Sequence, residues 1–166
     1  MVTTLILALI MMAGFFLMLY SAVALVQDRK YFTSAPEDIQ AAVQPKEERF
    51  PGQHLLGRHL LAVSVLLVAV PMFFGAMDGV WKVFSFWQFT ARFLIMLLGL
   101  KAFDVIFFDW YLLCHSNFFP RYYPEVKDLV GPHQFGFNKK FHIITAVLCI
   151  PASCLMAWFC TLFIKG

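Results

Sequence analysis

Residues 101–115 read KAFDVIFFDWYLLCH, and their ionisable side chains are the ones whose types and spacing could do chemistry. On a helix turning about 100° per residue, Lys101 and Asp104 are neighbours at i, i+3. His115 falls on the same face if the helix extends that far, and Asp109 lies on its flank. The surrounding residues are apolar enough for lipid, where a lysine near mid-bilayer costs roughly 2.5–3.5 kcal/mol on insertion scales. A bundle retains such a lysine only with a partner, and Asp104 is the nearest. Intramembrane ionisable residues mark polar sites and proton or solute pathways by default. The competing reading is a self-neutralising pair that only fixes helix packing.

Further polar residues gather at the ends of neighbouring apolar runs. His54, Arg58 and His59 begin one run, His142 begins another, and His133, Glu125 and Asn138 lie in the connection before it. With Asp109 and His115 they are expected to form a polar cluster at one membrane face. Paired histidines on facing helices can hold haem iron. Here the metal-binding spacings His-x-x-x-His, Glu-x-x-His and Cys-x-x-Cys-His are missing, so no metal site is assigned and the cofactor stays unknown. There is no phosphate-cradling glycine loop and no Gly-x-Ser-x-Gly elbow. Ser64 and Ser153 sit inside apolar runs and are poor nucleophiles. Lys101 could form a Schiff base, but nothing nearby specifies a partner for it. Cys114, Cys149, Cys154 and Cys160 lack paired spacing and read as small packing residues.

The elements that must hold these residues are set by composition. Of 166 residues, 61% are hydrophobic and 14% charged, with 20 Phe. A soluble domain is about 45–50% apolar and about 25% charged. Four apolar runs are long enough to span a bilayer, at about 2–26, 54–77, 89–113 and 141–164. The first has no basic n-region and is too long for the apolar core of a typical signal peptide, so it reads as a retained helix. Pro71 and Pro151 should kink the second and fourth runs. Asp78-Gly79 reads as a tight exit from the second. Trp81, Phe84, Phe86, Trp87 and Phe89 form an aromatic belt. In the fourth run Thr145, Cys149, Ser153, Ala157 and Thr161 recur every fourth residue, a ridge that permits close helix approach.

Two polar connections, each roughly 25 residues, are too short for an independent soluble core. In the first, Ser34-Ala35-Pro36-Glu37 is a capping-box pattern with Pro36 in the first turn, opening a short amphipathic surface helix to about Val43. The second is aromatic and should be ordered along the interface, with Asn138 capping the last run. The net charge of +3 is scattered, which excludes a nucleic-acid footprint. Lys and Arg concentrate in the two connections, with only Lys82, Lys165 and Arg92 on the opposite side. That puts both long loops in the cytoplasm and both termini outside, with the plasma membrane as the expected location.

The expected fold is therefore all-α: a single integral membrane domain over residues 1–166, a bundle of four transmembrane helices with a short amphipathic surface helix. Function stays open between classes. One is a small transport or channel-type protein or subunit, working through Lys101 and Asp104. Four helices enclose little volume, so that reading favours a homo-oligomer in the lipid bilayer. Another is a membrane-embedded enzyme on a lipid-like substrate, using Asp109, His115 and His142. A third is an assembly partner in a larger membrane complex, docking through its aromatic loop.

Overall fold

A computed structural model of the chain describes residues 2–33 and 35–164. All regular elements among them are helical. Helix α1 (Val2–Tyr20) continues as a π-helical stretch, Ser21–Val26. A short helix α2 (Glu37–Ala42) lies in the first connection, followed by α3 (Gln53–Trp81). Helix α4 (Phe86–Phe103) continues as a second π-helical stretch, Asp104–Leu113. The second connection carries the short α5 (Phe118–Tyr122), and α6 (Lys139–Leu162) ends the fold.

Three helices are long and apolar enough to cross a membrane: Val2–Val26, Gln53–Trp81 and Lys139–Leu162. The fourth long rod, Phe86–Leu113, does not join them; it carries Arg92, Lys101, Asp104 and Asp109. Outward faces are correspondingly apolar: Ile143, Ile144, Val147, Trp158 and Phe159 of α6 are exposed. Lipid is the solvent such faces suit.

Helix α1 packs on α3 and α4, and α6 packs on α4. Small residues set the close approaches. A Cβ on Gly14 of α1 would lie 2.6 Å from Leu67 Cβ, and one on Gly57 of α3 would lie 2.7 Å from Val26. Pro71 sits inside an unbroken α3, and it leaves the Leu67 carbonyl without an intrahelical donor. Gly14 brings the α1 backbone against that segment. On α6 the ridge of small residues buries Cys149, Ser153 and Ala157, and Ala157 packs with Phe89 and Phe93 of α4. Ser153 and Ser64 each donate back to a helix carbonyl at 2.7 Å, which takes both hydroxyls out of consideration as nucleophiles.

Helix α3 does not exit at Asp78-Gly79; it runs on to Trp81. Asp78 is held by Lys82 at 2.6 Å and by Arg92 at 2.8 Å, and Gly79 packs beneath the Phe89 ring. Those contacts favour continued helix over a turn. The helix then closes in a Schellman motif, with Phe84 N–H donating to Gly79 and Val83 N–H to Val80. Val83 occupies the left-handed position at φ 53°, where a β-branched residue is strained. Its side chain is exposed. Val83→Gly should therefore stabilise the fold by about 1 kcal/mol, seen as a higher thermal midpoint in detergent. A lower midpoint would mean that Val83 contributes packing that its exposure hides. Next to this turn, Ser85 and Gln88 form a capping box that starts α4.

The two polar connections do not fold separately. They close over one end of the bundle as a joint cap, with Phe32, Ile39 and Val43 packed against Phe119, Tyr123 and Val126. Neither connection has enough apolar surface for a core of its own, but together with Phe108, Leu112 and Leu113 they bury one. Lys46 lies 2.7 Å from Glu125, and the Gln134 amide donates to Asp38 at 2.8 Å, so polar links tie the connections at their rim. Partial burial raises the Glu125 carboxyl, but its bonds with Lys46 and backbone donors outweigh that and hold it below the ordinary range. Burial pushes the Tyr123 phenol up.

Helix α2 is the expected short helix, but it buries Ile39 and Val43 under the cap. Pro36 stands at its N-cap, one position before the first turn, because α2 begins only at Glu37. Ser34 of the expected capping box lies outside the described residues, as do Lys165 and Gly166 at the end of the last run. Asn138 does occupy the N-cap of α6, yet its side chain makes no capping bond; only its carbonyl accepts, from His142 N–H.

Candidate functional site

Where α4 changes to π-helical winding, four ionisable side chains meet. Lys101 Nζ lies 2.6 Å from Asp104 Oδ2. From α6, His142 places Nε2 2.7 Å from Asp109 Oδ2 and Nδ1 3.9 Å from Asp104 Oδ2. The 2.7 Å contact is not aligned as a hydrogen bond; it is an electrostatic contact whose strength depends on the imidazole's protonation. All four side chains are largely buried, at 12–20% exposure. Lys101 also sits 5.4 Å from the centre of the Phe141 ring.

The π winding is what assembles this quartet. Residues i and i+5 stand about 140° apart around an α-helix, which would turn Asp109 away from Asp104. In a π-helix the hydrogen bonds run i→i+5, so the same pair is drawn toward one side. Asp104 opens the π stretch and Asp109 lies inside it. The wider turn lets one histidine on α6 reach both carboxylates.

Two cavities adjoin the quartet. The first, about 110 Å³, lies under the cap, with Asp104, Asp109, His142 and Asn138 as polar wall and Val23, Phe108 and Phe119 among the apolar wall. The second is a cleft of about 440 Å³ against α1 and α3, walled by Phe15, Met18, Leu61, Ala62 and Val65. Asp104, Phe108, Leu19 and Tyr31 line both, so Asp104 stands in the partition between them. Among the described residues Asp104 is the only charged one on the cleft wall. Ala22 and Val23, from the other π-helical stretch, line the cleft and the cap cavity respectively.

The remaining expected site residues stand elsewhere. The helix ends at Leu113 with Cys114 as its cap, so His115 lies beyond it, exposed, with Nδ1 2.7 Å from the Trp110 carbonyl. The face that would have carried it into the cluster stops two residues short. On α3, His59 Nδ1 lies 2.8 Å from the Leu55 carbonyl, on an exposed side of the helix. Arg58 donates to the His54 carbonyl at 3.4 Å and lines a separate cavity of about 210 Å³ with Asp28, Lys30, Lys46 and His54. Glu125 is occupied by Lys46 and His133 by the Leu129 carbonyl. The cluster expected across the whole membrane face is thus divided: His142 joins the α4 charges, and the residues on α3 do not. No set of three or more His, Cys, Asp or Glu side chains is arranged to hold a metal among the described residues. The cysteines are free thiols.

No family model, curated protein or solved structure matches the chain. The functional reading therefore rests on the geometry of the quartet and its cavities.

A second polar knot lies apart from the quartet. Arg92, 3% exposed, donates to Thr4 Oγ1 at 3.2 Å and to the Gly75 carbonyl at 2.7 Å, beside Asp78. Its guanidinium stacks 4.4 Å from the Phe84 ring centre. It joins α1, α3 and α4 at the end away from the cap. The sequence signalled it only as a basic residue just inside an aromatic belt; its burial depends on Thr4 and Gly75 of two other helices.

Proposed function

We propose that the chain is a four-span integral membrane protein of the transport class, with the Lys101–Asp104–His142–Asp109 quartet as its intramembrane proton site. In this reading the rod Phe86–Leu113 is the remaining span, tolerated in lipid because its charges are turned inward and paired. Both connections are cytoplasmic, as their Lys and Arg content requires, and the cap closes the cytoplasmic end. The observation that carries the reading is the position of Asp104, in the wall between a cavity under the cap and a cleft between helices. A carboxylate that lines two cavities, beside a histidine that also reaches a second carboxylate, can take a proton from one cavity and present it to the other. Carboxylate–histidine chains of this kind serve as proton relays in membranes. Support also comes from the π-helical stretches flanking the cavities, since π turns mark functional positions and leave room for a helix to rewind.

The test needs no known solute. Purified protein, reconstituted and adsorbed on a sensor-supported membrane, is stepped from about pH 8 to about pH 6, across the ordinary histidine range. Wild type should give a transient charge displacement as the site protonates. Asp104→Asn with Asp109→Asn should reduce it about tenfold or more, since the quartet then loses both carboxylates that compensate a proton arriving on His142. A current of wild-type size in that folded double variant would remove the quartet from proton handling and the reading with it.

A further inference from the structure

We propose that the quartet and the adjoining cleft bind a single-chain amphiphilic cation, such as a long-chain ammonium, in exchange for one proton; this rests on the transport reading above. The argument starts from charge. Asp104 and Asp109 are two carboxylates, and Lys101 compensates one. With His142 neutral, the site is one cation short in apolar surroundings, where an uncompensated charge is costly. Among the described residues no other charged side chain lines the cavity under the cap, whose wall also holds the neutral groups Tyr31 and Asn138. Lys139 and Lys140, at the start of α6, are exposed and are not among the residues that line the cavity. Two species can supply the missing charge: a proton on His142, or a cationic ligand beside the carboxylates. Binding one displaces the other, because both together would leave an excess positive charge in the same place.

The second half of the argument is shape. The larger cleft, about 440 Å³, has Asp104 as its one charged residue among the described residues, and the rest of its wall is apolar side chains of α1 and α3 with Ala22, Tyr31 and Phe108. A small hydrated cation would gain nothing from Phe15, Met18, Leu61 and Val65. An alkyl chain lying along them removes apolar surface from water while its head rests against Asp104. An anionic or zwitterionic head would bring negative charge to a site already rich in it. The exchange balances: the cation enters from the cleft, the imidazolium of His142 releases its proton toward the cavity under the cap, and the charge of the site is unchanged.

The experiment uses the full chain in nanodiscs of zwitterionic lipid, with empty discs as the blank. Calorimetry follows octyltrimethylammonium, tetramethylammonium and octyl sulfate in two buffers of different ionisation enthalpy. Octyltrimethylammonium should bind at least about 100-fold more tightly than tetramethylammonium, since each buried methylene adds to the affinity. It should release up to one proton near pH 6 and progressively fewer as pH rises through the histidine range. Octyl sulfate should show no protein-dependent binding. Ala62→Trp, which fills the cleft, should weaken octyltrimethylammonium about tenfold or more through lost apolar contact. Equal binding of the three probes, binding without proton release, or unchanged affinity in Ala62→Trp would each overturn the inference. Those results would leave the pH-step current untouched, so they separate failure of the ligand class from failure of the transport reading. The probe series in wild type decides the matter even if Ala62→Trp does not fold.

Discussion

Arg92→Met should destabilise the protein by about 3–5 kcal/mol, the usual cost of removing one partner from a buried ion pair. The methionine fills much of the volume, so the loss reports polar contacts rather than a cavity. Two neighbouring helices lose their partner on α4, Thr4 on α1 and the Gly75 carbonyl and Asp78 on α3, and the guanidinium's stack on Phe84, in the turn before α4, is lost as well. Asp78 keeps Lys82, which is itself half exposed, so part of the acid's charge stays compensated. Arg92→Lys should recover little, because an ammonium cannot reproduce the planar fork that reaches three acceptors and stacks on a ring. Denaturant or thermal unfolding in a fixed detergent, followed by helical circular dichroism, measures both variants. A loss below about 1 kcal/mol for Arg92→Met would place Arg92 in the class of solvated ion pairs and contradict its burial.

The contrast between Arg92 and Lys101 explains how much of this architecture the sequence made legible. The long apolar runs were plain, because length and composition alone define them. The Lys101–Asp104 spacing was also plain, because it is local: three residues on one helix need no knowledge of the rest. What decides the candidate site is not local. Nothing in KAFDVIFFDWYLLC announces that the helix widens at Asp104, and with ordinary winding Asp109 is left on the flank. His142 was one of five histidines, each placed by its run alone; only the packing of α6 on α4 singles it out. Arg92 was counted as a topology signal for the same reason.

The cap shows a similar limit. Each connection alone is too short for a core, and that inference is sound for an isolated segment. It fails because the two segments share one core, with Ile39 and Val43 from one and Tyr123 and Val126 from the other. Helix pairing brings their ends together before either has to be stable alone. The expected exit at Asp78-Gly79 failed in the opposite direction. The residues do favour a turn, but Lys82 and Arg92 stabilise the acid inside the helix, and the glycine is used for close packing against Phe89.

The largest effect at the candidate site is expected from a thermodynamic cycle on Lys101 and Asp104. Lys101→Met leaves Asp104 and Asp109 with only His142 between them. Asp104→Leu leaves Lys101 with the Phe141 ring and no carboxylate within ion-pair distance. Each single change should cost about 3–5 kcal/mol, because it strands a largely buried charge. The double change removes both charges and should cost less than the sum by about 1–3 kcal/mol. Additive losses would mean that the 2.6 Å contact contributes nothing to folding and that Lys101 is stabilised by hydration instead. The same double variant separates architecture from function. An apolar pair packs without the cost of desolvating charge, so the protein can fold as well as wild type. It nevertheless lacks the carboxylate shared by the two cavities, and the pH-step current should fall with it. A folded Lys101→Met, Asp104→Leu protein with a full current would assign the pair to helix packing alone and leave His142 and Asp109 to carry the proton.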